Sequence, residues 1–346
     1  MKKQNVVIVG FGFMGQMHAQ AYAGISRARL AGVVDIDPAS ARRKLKRLGM
    51  KAPVFSDLAL ALRETKADIA DICLPTDRHA DAAVLALNAG RHVFCEKPVA
   101  RSLPEAGRMR RTWKKSGAFV QVGQCIRFWP EYQAFEKFVR AGKAGRLLSL
   151  TMQRRAGRPG YSVGDWLNQP KRSMGAALDL HIHDTDWVLH LLGTPAGVAS
   201  RGTKDASGWS HIFTEYLFPK VVVHAEGGWN YPASWGFQMA FQALFERGAI
   251  EFDSTASPTL RVTIGGHPPR PLPFVPAGGK SSRAIGNVSS LGGYANELAY
   301  FIDCVSRGRA PRIATLDQAI ESLRVVLGEM KSAATGRVVS LRGGAR

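Results

Sequence analysis

Short apolar runs alternate with amphipathic stretches over the first third of the chain. The runs predict strands at Asn5–Gly10, Arg29–Asp35, Val54–Phe55, Asp68–Leu74, His92–Cys95 and Phe119–Val122. Helical spacing fills the gaps at Phe13–Gly24, Pro38–Leu48, Asp57–Arg63, Asp77–Ala89 and Leu103–Lys115. Ser102 with Glu105 three residues on is a capping-box signature for the last of these helices. Such alternation implies a doubly wound parallel α/β sheet, with ligands at the carboxyl ends of its strands.

Past Gly123 the pattern changes. A helix is predicted at Pro130–Ala141, a strand at Arg146–Arg155, then a Gly/Pro loop to Met174 and a single helix over Gly175–Leu192. Strand-length runs at Ile212–Phe218, Val221–Gly227, Phe237–Phe245, Ala249–Phe252 and Thr259–Ile264, joined by turns such as Pro219-Lys220 and Arg247-Gly248, predict a large, mostly antiparallel open sheet. Residues Gly265 to Lys280 read as a long surface connection, and helices near Tyr294–Ser306 and Leu316–Ala334 complete an α+β domain. At 346 residues the chain exceeds what one core usually organises. The expected division is an α/β domain over 1–123 and an α+β domain over 124–346.

The first domain carries its own evidence for a dinucleotide. Gly10-Phe11-Gly12-Phe13-Met14-Gly15 follows the run Val6-Val7-Ile8-Val9 and opens a helix, and Asp35 closes the next strand twenty residues after Gly15. In that setting Gly10 permits the tight turn, Gly12 the approach of backbone to pyrophosphate and Gly15 close helix–strand packing; the helix start offers free N–H groups to phosphate. A carboxylate at position 35 bonds ribose hydroxyls and repels a 2′-phosphate, which favours NAD over NADP, and Ile36-Asp37 places no arginine next to it.

Composition adds less. Lys and Arg number 47 against 27 acids, a formal charge of +20, but the charge is dispersed and no nucleic-acid motif accompanies it, so no nucleic-acid partner is expected. Cys73, Cys95, Cys125 and Cys304 lack zinc or C-x-x-C spacing and read as reduced, mostly buried residues. No apolar run approaches bilayer length; a cytoplasmic protein without a membrane partner is the expectation.

Three further residues bear on chemistry. Lys97 lies just past the fifth predicted strand in Cys95-Glu96-Lys97-Pro98, where an ammonium can stabilise an alkoxide as hydride leaves; a plain turn lysine is the alternative. Asp179 and His183, four apart on the predicted helix, share one face and suit proton transfer with a supporting carboxylate, or equally a buried structural hydrogen bond. His181, Asp184, Asp186 and His190 crowd the same stretch, yet His181 and His183 are two apart and face different ways, so no metal site is expected.

Taken together these motifs resemble the Gfo/Idh/MocA oxidoreductases over nearly the whole length. The resemblance is carried by Gly10–Gly15 with Asp35, Leu74-Pro75-Thr76 followed by His79, Glu96-Lys97-Pro98, Arg127-Phe128-Trp129-Pro130, Gly175 to Asp184 and Ser332 to Arg337. It implies a dinucleotide-binding Rossmann domain over 1–123 and a substrate-binding α+β domain over 124–346 whose open sheet joins subunits into a homodimer or homotetramer. It also implies an NAD-dependent dehydrogenase acting on a secondary alcohol of a sugar, inositol or related polyol. Lys97, Asp179 and His183 become the implied catalytic set, with the choice of proton acceptor between Lys97 and His183 left open. Ile36, Leu74, Pro75, Thr76, His79 and Glu96 join the glycine loop, Phe13, Met14 and Asp35 as cofactor candidates, although Thr76 could instead cap a helix. Arg127, Tyr161, Trp166 and Asn168 are substrate candidates beside Asp179 and His183, with Trp166 also readable as a packing anchor. Ser173-Met174-Gly175 departs from the family's consecutive glycines, which leaves the substrate unspecified. An NAD-assisted glycosidase and a non-catalytic nucleotide-binding regulator stay open as other readings of the same fold.

Overall fold

A computed structural model describes residues 3–275 and 291–341. In chain order the elements are β1 (Gln4–Val9), α1 (Phe13–Ala23), β2 (Ala28–Val34), α2 (Pro38–Arg47), β3 (Val54–Phe55), α3 (Leu58–Glu64), β4 (Ile69–Ile72), α4 (His79–Asn88), β5 (His92–Cys95), α5 (Leu103–Ser116) and β6 (Val120–Val122). They continue as α6 (Pro130–Ala141), β7 (Leu147–Gly157), α7 (Pro170–Ser173), α8 (Ala176–Asp179), α9 (Ile182–Leu192), β8 (Gly197–Asp205), β9 (Gly208–Leu217), β10 (Val222–Tyr231), β11 (Phe237–Phe245), β12 (Gly248–Asp253), β13 (Leu260–Ile264), β14 (Arg270–Pro271), α10 (Gly292–Ser306), α11 (Leu316–Thr335) and β15 (Val339–Ser340).

Two compact units emerge. One comprises, of the described residues, 3–128, 161–166 and 291–321; the other 129–160, 167–275 and 322–341. The first unit is built on a six-stranded sheet in the order β3-β2-β1-β4-β5-β6, every neighbour parallel. Its central strands are apolar on both faces, as a sheet covered on two sides requires, and the order reverses beside β1, which opens a crevice at the carboxyl ends of β1 and β4. Side chains cap three of its helices: Asp37 accepts from Ser40, Asp57 from Leu60 and Ser102 from Glu105. Glu105 closes the expected box one residue early, accepting the backbone N–H of Arg101 at 3.0 Å.

The second unit is a nine-stranded sheet in the order β14-β13-β12-β11-β7-β10-β9-β8-β15. It is antiparallel except where β10 runs parallel to β7. One face is closed by an aromatic cluster. The Tyr132 ring on α6 stands edge-on to Trp187, Phe241 and Phe252 at 5.0, 5.1 and 5.4 Å between centroids. Deleting one of these rings costs about 3–5 kcal/mol by the usual large-to-small rule. Alternate residues along the strands face the other way and are open: Phe213, Val222 and Leu244 are each about half exposed.

Three features depart from the sequence expectation. β8 has no apolar run because everything from Arg201 onward is exposed; only Gly197 to Ser200 are largely buried, and the exposed half is held by its pairing with β9. The connection expected over Gly265–Lys280 contains the short strand β14 in its described part, and residues 276–280 lie outside the described residues. The single helix expected over Gly175–Leu192 is interrupted at Leu180 and His181. The His181 N–H reaches back five residues to the Ala176 carbonyl at 2.9 Å, which ends the 3.6-residue repeat before α9 restarts it.

Candidate active site

In the first unit the glycine loop is shaped by close contacts. Gly10 has φ +93°, and a Cβ there would lie 2.6 Å from the Cys73 carbonyl oxygen. At Gly15 a Cβ would lie 2.1 Å from the Gly10 carbonyl oxygen, so helix and turn pack too closely for any side chain. Around Gly12 a Cβ would meet nothing within 4 Å, and as the N-cap of α1 it brings no side-chain hydrogen bond to the first turn. An eleven-residue helix therefore starts at an uncapped residue with open space beside it, and its free N–H groups and positive end suit a diphosphate. The residues present fit a dinucleotide.

Asp35 organises that loop. One carboxylate oxygen accepts the Phe11 N–H at 2.8 Å and the other the Asp37 N–H at 2.9 Å, while the neighbouring Ile36 is 95% exposed. Lys44 donates to the Phe11 carbonyl at 2.9 Å. Phe13 meets the Tyr161 ring at 5.1 Å between centroids, and Met14 is half-buried.

At the carboxyl ends of β4 and β5 the side chains divide. His79 is buried and bridges two loops, its ring nitrogens 2.8 Å from the carbonyls of Leu74 and Pro98; burial holds its pKa below the ordinary value against those carbonyls. Pro75 leads into the turn at Thr76, whose buried hydroxyl has no hydrogen-bond partner among the described residues; α4 has no side-chain cap, so Thr76 does not serve as one. Lys97 is half-buried and its backbone N–H is received by Glu96 at 3.2 Å. The Glu96 carboxylate itself turns inward and is 3.1 Å from buried His18. Arg127, on a 3-10 turn, is buried and donates to Gln318 at 2.8 Å.

The second unit carries Asp179 and His183. With the helix broken, they do not share one continuous helical face: Asp179 ends α8 and His183 sits in the first turn of α9, both nearly buried. The residues around them are pinned. His181 Nε2 is 2.9 Å from Glu329, whose other oxygen accepts from Thr185 at 3.0 Å. Asp184 receives Arg154, Asp186 accepts from Ser322 at 2.7 Å, and His190 is 3.2 Å from Glu136. His181, Asp184, Asp186 and His190 thus face four different partners. Ser173 donates to the Leu167 carbonyl at 2.7 Å and accepts the Gly175 N–H at 3.1 Å, which fixes the loop before α8. Asn168 donates to the Pro159 carbonyl at 2.8 Å, and Trp166 is half-buried in the first unit.

Sequence reasoning passed over His18, Asp71 and Glu297. Asp71 offered a signal, since it interrupts an otherwise apolar strand expected to be buried on both faces and so needed a partner. That partner is His18, 2.8 Å away.

Comparison with known proteins agrees with this geometry. The description "Oxidoreductase family, NAD-binding Rossmann fold" matches residues 4–124, and "GFO/IDH/MocA C-terminal domain" matches residues 132–251. Inositol 2-dehydrogenase of Rhizobium meliloti (strain 1021) is 25% identical over 96% of this chain and 98% of its own length. D-glucoside 3-dehydrogenase of Escherichia coli (strain K12) is 31% identical, over 55% of this chain and 54% of that protein. A levoglucosan dehydrogenase solved with NADH and levoglucosan has the same fold, with a TM-score of 0.85 at 21% identity over 99% of this chain and 100% of that one. The glycine cradle, the six-stranded parallel order and both family matches place this chain in the Gfo/Idh/MocA family of NAD-binding oxidoreductases.

Proposed function

We propose that this chain oxidises a secondary alcohol of a sugar, inositol or related polyol, or reduces the matching carbonyl, with NAD as its hydride carrier. The supporting observation lies within one unit: the open glycine cradle after β1, the Asp35 carboxylate after β2 and Lys97 after β5 fall on the same carboxyl edge of one parallel sheet. The dehydrogenases named above supply the substrate class.

NAD bound at that cradle supplies the hydride acceptor. Backbone N–H groups of α1 hold the diphosphate, with Phe13, Met14, Ile36, Leu74, Pro75 and Thr76 around it. Asp35 bonds the ribose hydroxyls and disfavours a 2′-phosphate, giving NAD preference over NADP. Lys97 donates its ammonium to the reacting oxygen and stabilises charge that builds as the C–H bond breaks. His183 takes the hydroxyl proton and Asp179 orients the substrate hydroxyl. Arg127, Tyr161, Trp166 and Asn168 are assigned to the substrate side, with Arg127 held by its bond to Gln318.

Cofactor binding is assigned to the six-stranded unit, which also carries Lys97, Tyr161 and Trp166, and self-association to the nine-stranded one, which carries Asn168, Asp179 and His183. The open face of the latter carries Phe213, Val222 and Leu244 about half exposed, which supports a homodimer or homotetramer through this sheet. Four free cysteines support a cytoplasmic setting. No helix among the described residues is long and apolar enough to cross a membrane.

The test is a panel of inositols, aldoses, sugar acids and nucleotide sugars with NAD or NADP, followed by NADH absorbance. Absorbance that grows with one polyol class and is lost in Lys97→Ala carries the proposal. Sugar release without NADH accumulation, or cofactor binding without turnover on any member, overturns it.

A further inference from the structure

Beneath Lys97 lies a polar cluster sealed in the first unit's core. His18 on α1 and Asp71 on β4 have no exposure, and the His18 Nδ1 is 2.8 and 3.1 Å from the two Asp71 carboxylate oxygens. The Nε2 on the other side of that ring lies 3.1 Å from Glu96 Oε1. Glu297 on α10, fully buried as well, brings a carboxyl oxygen within 4.8 Å of a Glu96 carboxylate oxygen and of a His18 ring nitrogen. Neither Glu297 oxygen, nor Glu96 Oε1, nor His18 Nε2 has an aligned hydrogen-bond partner among the described residues.

Glu96 is clamped at this point. A Cβ on Gly123 would lie 2.9 Å from Glu96 Oε1, so only glycine leaves room for the carboxylate there. Its other oxygen accepts the Lys97 N–H at 3.2 Å. Any displacement of Glu96 is therefore passed to the backbone of the lysine next to it.

Two adjacent carboxylates in a dry site cannot both stay ionised cheaply, and one proton between them removes the repulsion while supplying a donor. Burial, reinforced by Glu96, drives the Glu297 pKa well above the carboxylate range. Burial alone would lower His18, but Asp71 and Cys73 together outweigh it and the imidazole is pushed well above its ordinary value. The groups facing the cluster are Tyr22 from α1, Cys73 after β4, Cys95 at the end of β5 and His79 from α4. Tyr22, Cys73 and Cys95 are pushed up by burial and His79 is pulled down by it, so none of these four adds charge at neutral pH.

We propose that Glu297 is a positioning residue: it shares a single proton with Glu96, and through Glu96 it fixes the backbone that presents Lys97. This rests on the assignment of Lys97 to the reaction. No group is consumed; the proton moves only between the two carboxyl oxygens, and the His18 proton stays with Asp71.

The test uses the full-length protein and the variants Glu297→Gln and Glu297→Leu. An infrared band of a protonated carboxyl group at about pH 8, where free Glu is ionised, is expected in the parent and lost in Glu297→Gln. An amide replaces the acid as donor to Glu96, so Glu297→Gln keeps kcat within about threefold, whereas Glu297→Leu lowers kcat about tenfold or more with the KM for NAD unchanged. A parent without the band, a Gln variant as impaired as the Leu variant, or a Leu variant with parental kcat each overturns the inference. The infrared result stands whether or not any polyol is turned over, so failure of the proton and failure of the proposed reaction are told apart.

Discussion

Arg154 and Asp184 form a two-pronged ion pair with essentially no contact with solvent. Nε and Nη2 of the arginine each lie 3.0 Å from a different carboxylate oxygen, at side-chain exposures of 2% and 0%. Asp184 directly follows His183, so the pair ties the start of α9 to the central strand β7. Removing one partner strands the other charge in the core. Asp184→Ala is expected to lose about 3–5 kcal/mol of stability in a urea melt. A loss below about 1 kcal/mol would mean that water reaches the arginine.

Gly175 and Met174 make opposite use of the left-handed region. Gly175 has φ +86°, and a Cβ would lie 2.6 Å from the Trp209 carbonyl oxygen, so Gly175→Ala is expected to destabilise by more than about 2 kcal/mol or to unfold the segment. Met174 has φ 63° and carries the strain of a side chain there. Met174→Gly relieves about 1–2 kcal/mol of strain against a glycine entropy cost of up to about 1 kcal/mol, a small net rise in melting temperature.

His211 gives the second unit a pH-dependent stability. Its ring lies 3.0 Å from Glu226 and 2.9 Å from Asn230; burial lowers its pKa, but those two bonds win and raise it, while the same contact lowers Glu226. The raised histidine contributes fully below its unfolded value and loses its contribution as pH rises through the folded one. The depressed glutamate contributes above its unfolded value and loses its share as pH falls through the folded one. The pair is therefore worth most between about pH 4.5 and 6.5. Glu226→Gln should lower stability by about 1 kcal/mol near pH 6 and by less above pH 8, read from melts across pH. An equal effect at both pH values would remove the ion pair from the explanation.

Asp35, assigned to the ribose in the proposed cofactor site, also receives two backbone N–H groups, so a change there is expected to disturb cofactor choice and loop geometry together. Asp35→Asn is expected to weaken NAD binding at least tenfold, about 1.4 kcal/mol, and to narrow discrimination against NADP. Titration with both cofactors checks it. An unchanged NAD affinity would take Asp35 out of the cofactor site.

Much of this architecture was written in local pattern. Apolar runs and their spacing located the six parallel strands because buried strands leave a largely hydrophobic signature, and Gly10 and Gly15 stood out because each answers a local steric demand. Less local features were illegible. His181, at the helix break, is paired with Glu329, nearly 150 residues away, and no helical periodicity encodes such a partner. The same holds for the inward turn of Glu96, set by His18 and by the space at Gly123. The bond from Arg127 to Gln318 was equally hidden, because the partner is remote in the chain.

The parallel contact between β10 and β7 has a consequence for biosynthesis. β7 is flanked by β10 and β11, both of which follow it by a long stretch of chain, so no hairpin can give it a neighbour. It leaves the ribosome with both hydrogen-bonding edges bare and waits until Phe245 has been made. Nascent chains truncated before that point would be the aggregation-prone ones, and maturation of this unit should depend more on holding chaperones than on the speed of any single turn.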